Sequence, residues 1–398
     1  MPTTTSPVLR MRRSGIRALM ELALADPLAI HLEIGEPDVP TPDHVLAAAA
    51  RDAAAGHTGY TSSTGSAELR TALAEKVRRV NGLDVGPADV MATHGAMHGL
   101  AIAFAATLGP GDEVLLPDPE FPNWRMAVTA TGAEAVTYPT RAEHGFVPRL
   151  EDIAAAITPR TKVLLVCSPN NPTGAVYPAA LLESVVALAR QHDLWVFSDE
   201  CYEAITYDAP HVSPAQFDTD GRVLTFFSFS KTYAMTGWRL GYVVSPDPAL
   251  TELLAQVAEA TVGCPSSVSQ RAALAALRGT QEPVSTAVAS YRGRRDDAVA
   301  LLAAAGVPCS VPDGAFYLLV DVSAVSRDGN TFALRLLREH HVAVSPGEAF
   351  GPGAAGMVRV SLASAPDDLR VGLQRLVTLV ARWDEPAGRA VEAGAQLR

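Results

Sequence analysis

Residues 162–199 read KVLLVCSPNNPTGAVYPAALLESVVALARQHDLWVFSD, and the order of patterns within them decides the fold. Lys162 to Cys167 is a short, nearly unbroken apolar run, as in a strand covered on both faces. Ser168-Pro169-Asn170-Asn171-Pro172-Thr173-Gly174 interrupts it with turn residues. Pro178 to Gln191 then spaces Leu181, Leu182, Val185, Val186 and Leu188 as a helix does, with proline at the opening. Leu194 to Ser198 is a second apolar run, closed by Asp199. Strand, helix and strand make one βαβ unit, and a right-handed crossover within a parallel sheet is expected.

Outward from this unit the alternation continues. Glu113 to Leu116 and Arg222 to Phe227 read as strands, and Ser66 to Arg79 and Ala96 to Thr107 as helices. An α/β fold with a mostly parallel sheet covered by helices follows. After Arg292 the texture changes. A helix fits Arg294 to Ala305, strands fit Phe316 to Val320, Val342 to Ser345 and Met357 to Leu362, and a final helix fits Asp367 to Trp383. This block reads as a smaller α+β domain. Residues 46–284 are expected to form the large domain, and residues 1–45 with 285–398 the small one. The arginine-rich start faintly resembles a transit peptide, but Ile16, Leu19, Met20, Ala23 and Leu24 have helical spacing and place it in the folded protein. Glu385 to Arg398, rich in alanine, glycine and charge, reads as a fraying end.

Composition sets the outer bounds. The 398 residues are 48 % apolar and 19 % charged, enough to bury a large core and to exclude wholesale disorder. Acidic residues number 43 against 32 basic, a net charge of −11, which argues against a nucleic-acid partner. No apolar run approaches the roughly 18 residues of a membrane-spanning helix. The four cysteines, Cys167, Cys201, Cys264 and Cys309, lie far apart without a CxxC pair. Reduced thiols in a cytoplasmic enzyme are the simplest reading, with neither a zinc knuckle nor a disulfide framework.

The chemistry lies after three strands. The turn holding Asn171 follows the first, Asp199-Glu200-Cys201-Tyr202 the second, and Ser228-Phe229-Ser230-Lys231 the third. Open α/β sheets bind ligands at the carboxyl ends of their strands. A lysine beside hydroxyls can form a Schiff base with an aldehyde. Pyridoxal phosphate needs such a lysine, an acid for its pyridinium nitrogen and a phosphate cup. Arg239, eight residues after Lys231, has the planar fork that suits a phosphate dianion.

The run from Ser228 to Gly241, SFSKTYAMTGWRLG, strongly resembles the lysine motif of class I/II aminotransferases, the fold-type I pyridoxal phosphate enzymes. Eight further motifs occur in the family's order. They are Gly35-Glu36-Pro37-Asp38, Gly59-Tyr60 with Glu68-Leu69-Arg70, Pro110 to Val114, Asn171 to Gly174, Asp199 to Tyr202, Gly314 to Tyr317, Ser345-Pro346-Gly347 and Arg359-Val360-Ser361. The resemblance covers nearly the whole chain and implies a role for each matching residue. Lys231 corresponds to the Schiff-base lysine and general acid/base, and Asp199 to the carboxylate facing the pyridine nitrogen. Tyr202 and Asn171 would hydrogen-bond the phenolic oxygen, and Phe121 would stack on the ring. Ser228, Ser230 and Arg239, with the amides of Ala96 and Met97 at a helix start, would hold the phosphate. Met97 departs from the family, which often carries a hydroxyl or a lysine there. Tyr60 would reach the phosphate of a neighbouring subunit, so a homodimer with shared sites is implied. Arg359 would pair with the substrate α-carboxylate, Gly35 would offer its amide, and Trp124 would line the side-chain pocket. The pattern identifies no second cation for a side-chain carboxylate, which disfavours aspartate or glutamate as preferred donor unless flexible arginines elsewhere serve.

Each residue also has a plainer reading. Lys231 alone would be a solvated lysine, Asp199 a helix cap, and Tyr202 and Asn171 packing and turn residues. Arg359 could pair with a surface acid, and Phe121 and Tyr60 could be core aromatics. Their order and company favour the site. Two decoys are set aside. Gly351-Pro352-Gly353-Ala354-Ala355-Gly356 matches GxGxxG but leads into a strand, and His94 with His98 lacks the glutamate of a zinc-protease helix. The expected activity is a ping-pong aminotransferase moving an amino group from an L-amino acid to a 2-oxo acid. A lyase, cyclase or oxidase on the same scaffold, and a cofactor-binding regulator without turnover, are the alternatives. No room for a DNA-binding module is seen before Gly35.

Overall fold

The computed structural model describes residues 7, 9, 11 and 13–384, so the reading of Glu385 to Arg398 falls outside the described residues. The central sheet holds β2 (Val90–Thr93), β3 (Glu113–Asp118), β4 (Glu134–Pro139), β5 (Thr161–Cys167), β6 (Trp195–Asp199), β7 (Val223–Ser228) and β8 (Gly241–Val244). Their order is β2-β8-β7-β6-β5-β3-β4. Only β8 runs against its neighbours. The pairs β3–β4, β3–β5, β5–β6 and β6–β7 are parallel. The segment that opens the argument forms β5, helix Ala179–Gln191 and β6, with Cys167 beside Asp199.

From Val163 to Cys167 strand β5 is apolar because helices cover both faces of the sheet. Alternate residues serve opposite layers. Val163 and Leu165 join Leu100, Phe104 and Leu254, from helices Ala96–Thr107 and Pro248–Thr261. Leu164 and Val166 join Leu182, Val185 and Val186 of the crossover helix. Lys162 is the one exposed residue of β5. It is also the only exposed lysine of the three in the sequence. Lys76 is buried in an ion pair with Glu203, and Lys231 is half-buried.

Strands β2, β4 and β8 are not evident in the sequence. Val90–Thr93 and Gly241–Val244 are four residues each, too short for a periodic signal. The helix expected from Arg294 starts at Glu282 and runs to Ala304; its early turns are polar and hide the repeat. The strand expected over Val342 to Ser345 is two. One is β10 (Val342–Ala343), parallel to β1 (Ile30–His31). The other is β11 (Ser345–Pro346), in an antiparallel sheet with β12 (Met357–Ser361) and β9 (Tyr317–Asp321). Leu19, Ala23 and Leu32 share a core with Phe316, Leu336, Val360 and Leu373. The start of the chain thus packs with its last third.

This topology brings the carboxyl ends of β2, β5, β6 and β7 to one edge, together with the start of β8. Gly241 is the partner of Ser228 on one side and of Thr93 on the other. A side chain on Gly241 would stand 2.8 Å from the amide nitrogen of Ala96. Glycine here lets the helix opening at Ala96 approach the lysine-bearing turn.

Candidate active site

Asp199 is the last residue of β6 and is 5 % exposed. Its Oδ2 accepts from the indole Nε1 of Trp124 at 3.0 Å, and its Oδ1 from the backbone N–H of Cys201 at 3.2 Å. Burial, helped by the charge of Glu200, raises its pKa, and the Cys201 thiol and amide with the Trp124 indole offset this only in part. No cation pairs with it among the described residues.

Lys231 stands on the short helix Phe229–Thr232 at the end of β7, where the Ser228 hydroxyl accepts from the Ser230 N–H at 3.1 Å. Its ammonium donates to the carbonyl of Gly35 at 2.5 Å. A side chain on Gly35 would fall 2.0 Å from the Tyr317 hydroxyl, so that carbonyl can come this close only from a glycine.

Arg359 lies on β12 and is 2 % exposed. Its Nη1 donates to Asn171 Oδ1 at 2.9 Å, and its Nη2 to the Glu33 carbonyl at 2.6 Å and to the Ser345 hydroxyl at 3.2 Å. The guanidinium carbon is 4.2 Å from the ring centre of Tyr317 and 4.8 Å from that of Phe350. Its Nε is buried without a partner. Burial pushes the pKa of Arg359 down. The charge of Glu33 helps it only at longer range, and a buried guanidinium with no carboxylate in contact among the described residues is costly, so an anionic ligand would complete it. Tyr202 and Tyr317 join their hydroxyls at 2.7 Å, and burial holds the Tyr202 phenol neutral by raising its pKa.

The phosphate candidates gather at the edge made by β2, β7 and β8. Gly95 precedes helix Ala96–Thr107, and Arg239 closes on it so that a Cβ on Gly95 would stand 3.1 Å from Nη2. Arg239 donates to the Thr236 carbonyl at 2.8 Å and has a φ of 53°, in the left-handed region that non-glycine residues rarely adopt. Such strain is common at ligand clamps. Phe121 is half-buried and meets Trp124 edge-on at 5.9 Å. Tyr60 is 99 % exposed.

The structure therefore brings Lys231, Asp199, Tyr202, Asn171 and Arg359 into one linked region. Four participants carried no role in the sequence reading. They are Tyr317, Ser345, Phe350 and the Glu33 carbonyl; the first two lie in quoted motifs, which was the available signal. Nor did the sequence give any sign that Trp124 bonds Asp199. The two decoys resolve as packing. The Gly353 amide donates to Asp118 at 2.8 Å, and the His94 amide donates to His98 Nδ1 at 3.2 Å. Burial, with His94 adding to it, takes the pKa of His98 down to about 4.

The residues fit pyridoxal phosphate. A buried carboxylate without a cation suits a pyridinium N–H, and the helix opening beside Arg239 suits a phosphate. Fold and site define a pyridoxal phosphate-dependent transferase. A family model for aminotransferase class I and II matches residues 29–376. The aspartate/prephenate aminotransferase of Thermus thermophilus is 42 % identical over 356 residues, 89 % of this chain and 91 % of that protein. The arginine–pyruvate transaminase of Pseudomonas aeruginosa is 37 % identical over 367 residues, 92 % and 93 % of the two chains. The solved aspartate aminotransferase of Thermus thermophilus with maleate superposes with a TM-score of 0.92 at 40 % identity, over 95 % of this chain and 100 % of that one. The chain belongs to the class I and II aminotransferases and is a pyridoxal phosphate-dependent enzyme that transfers nitrogenous groups.

Proposed function

We propose that Lys231, Asp199 and Arg359 divide the work of amino transfer between an L-amino acid and a 2-oxo acid. The observation that carries this reading is the buried guanidinium of Arg359, which forms no ion pair among the described residues and touches Asn171. When bound, pyridoxal phosphate supplies an aldehyde for the amino group and a ring that accepts electron density from the substrate Cα. Arg359 binds the α-carboxylate through two parallel N–H bonds and so orients the Cα–H bond. Gly35 adds its amide to the same carboxylate. Lys231 Nζ takes the proton from Cα. Asp199 holds a proton at the ring nitrogen, and Tyr202 and Asn171 donate to the phenolic oxygen. Phe121 covers the ring face. Ser228, Ser230, Arg239 and the amides of Ala96 and Met97 hold the phosphate. An amino acid added alone to the loaded enzyme should release one equivalent of its 2-oxo acid per site, then stop until an acceptor is added. Continuous release without an acceptor would sink the reading.

The relatives at 42 % and 37 % identity are named for aspartate/prephenate and for arginine–pyruvate, side chains of opposite charge. The scaffold alone therefore does not choose. Arg359 is assigned to the α-carboxylate, Arg239 to the phosphate, and Met97 is uncharged. We therefore assign donor preference to uncharged side chains over aspartate and glutamate, with Trp124 near the side-chain pocket. In a panel of amino donors, the highest kcat/KM for aspartate would overturn this.

Tyr60, fully in solvent within one chain, supports a homodimer in which it reaches the partner's phosphate. Mixing Lys231→Ala with Tyr60→Ala subunits should restore activity in one site of each mixed dimer; a sedimenting monomer would refute it. Residues 46–284 are assigned to the cofactor domain and residues 1–45 with 285–398 to the smaller one. The pairing of β1 with β10 supports this division, and limited proteolysis should cut near its borders rather than inside either part. No described helix is long and apolar enough to cross a membrane. We assign the enzyme to the cytoplasm, which cell fractionation would check.

A further inference from the structure

Trp124 is 1 % exposed and sits in the first turn of helix Pro122–Thr131. Its indole N–H is committed to Asp199 Oδ2 at 3.0 Å, and its ring meets the edge of Phe121 at 5.9 Å, the rings 81° apart. The other oxygen of Asp199 accepts from the Cys201 amide at 3.2 Å. Burial and the like charge of Glu200 resist the charge on this carboxylate, and the Cys201 thiol and amide with the Trp124 indole oppose them in part. An indole N–H gives a proton to a hydrogen bond and never accepts one, and it does not titrate in water. Oδ2 is thereby fixed as an acceptor, and the rotamer of Asp199 is fixed with it.

We propose that Trp124 is a positioning residue, which keeps Asp199 ionised and aimed so that a proton stays on the ring nitrogen of the bound cofactor. The same indole braces Phe121, so one side chain sets both the contact at the ring's edge and the contact on its face. The inference rests on the assignment of Asp199 to that nitrogen. Neither the indole nor the Cys201 thiol, which burial keeps protonated, loses its proton from about pH 6 to about pH 9, and the neighbouring charge of Glu200 is paired with His211, so the state of the nitrogen should change little across a range in which a histidine donor would titrate.

The test loads the full chain with pyridoxal phosphate carrying the heavy nitrogen isotope in its ring, and reads the nitrogen resonance by NMR. Trp124→Phe keeps the ring and deletes the N–H. Its resonance should move toward neutral pyridine, and kcat should fall roughly ten- to a hundred-fold with little change in donor KM, the loss expected for a hydrogen bond to a charged group. Trp124→His restores a donor and should recover much of both. A wild-type resonance in Trp124→Phe, alongside a shifted one in Asp199→Asn, would reduce Trp124 to packing. A wild-type resonance in Asp199→Asn would instead remove the assignment of Asp199 itself. If Trp124→Phe fails to hold the cofactor, retention by Trp124→His supports the inference and failure of both variants overturns it.

Discussion

Asp199 and Glu200 are consecutive buried carboxylates, and they belong to regions that settle their charges in opposite ways. Glu200 is 0 % exposed. Its Oε2 meets His211 Nε2 at 2.7 Å, and its Oε1 accepts from Ser198 at 2.9 Å and Ser213 at 2.7 Å. Glu203 lies beside it, paired with Lys76 and accepting from Asn81 Nδ2 at 2.5 Å. Glu200, Glu203 and His211 stand close enough to share a cation, and Lys76 with the imidazole already supplies one. Among the described residues, Asp199 has donors but no ion-pair partner, and Arg359 has acceptors and only the longer-range charge of Glu33. In the first region the charges are paired within the protein, although His211 Nδ1 is left without a hydrogen-bond partner. On the proposed reading, the second is completed by the α-carboxylate of a substrate and the ring nitrogen of the cofactor. Burial alone does not mark a functional charge; burial without compensation does.

The sharpest way to break this comparison is Lys231→Ala. Turnover should fall by roughly 10⁴-fold or more, since both the covalent link and the proton carrier are lost, while thermal stability of the cofactor-free chain is unchanged. Retained turnover in steady-state assays would end the assignment. Next is Arg359→Lys, which keeps the charge and loses the planar fork. KM for the amino donor should rise about a hundred-fold, with a melting temperature near that of the parent. Glu200→Gln should show the reverse signature, with stability lower by about 3 kcal/mol in denaturant titration and kcat within a few-fold of the parent. Equal signatures in the two variants would erase the distinction between the regions.

The smallest effect concerns pH. Burial works against charge on His211, but the charge and hydrogen bond of Glu200, helped by Glu203, outweigh it and raise the pKa above the usual 6.5. A raised pKa in the folded state gives stabilisation that is full below 6.5 and is lost as pH climbs through the folded value. The gap in melting temperature between the parent and His211→Gln should therefore narrow as pH rises. A gap that widens would mean the histidine is buried neutral.

Much of this was legible in the sequence. The unit from β5 to β6 was clear because its apolar spacing changes from strand to helix and back without ambiguity. Lys231, Asp199 and Asn171 stood out as candidates because each lies within a contiguous motif. What escaped was contact between distant positions. Arg359 bonds Asn171 across 188 residues, and Trp124 bonds Asp199 across 75. No local pattern encodes such a bond. The split of Val342 to Ser345 escaped for another reason, since one apolar run serves two sheets that only the tertiary fold separates.

The position of Lys162 has a practical consequence. It is the second residue of β5 and lies at the end of the strand opposite the turn that carries Asn171. Apart from the chain's α-amino group, it is the one exposed amine among the described residues. With the α-amine blocked, an amine-reactive support would grip the protein at the floor of its sheet. A catalyst attached in this way would face the liquid with its reactive edge outward, every molecule in nearly the same pose.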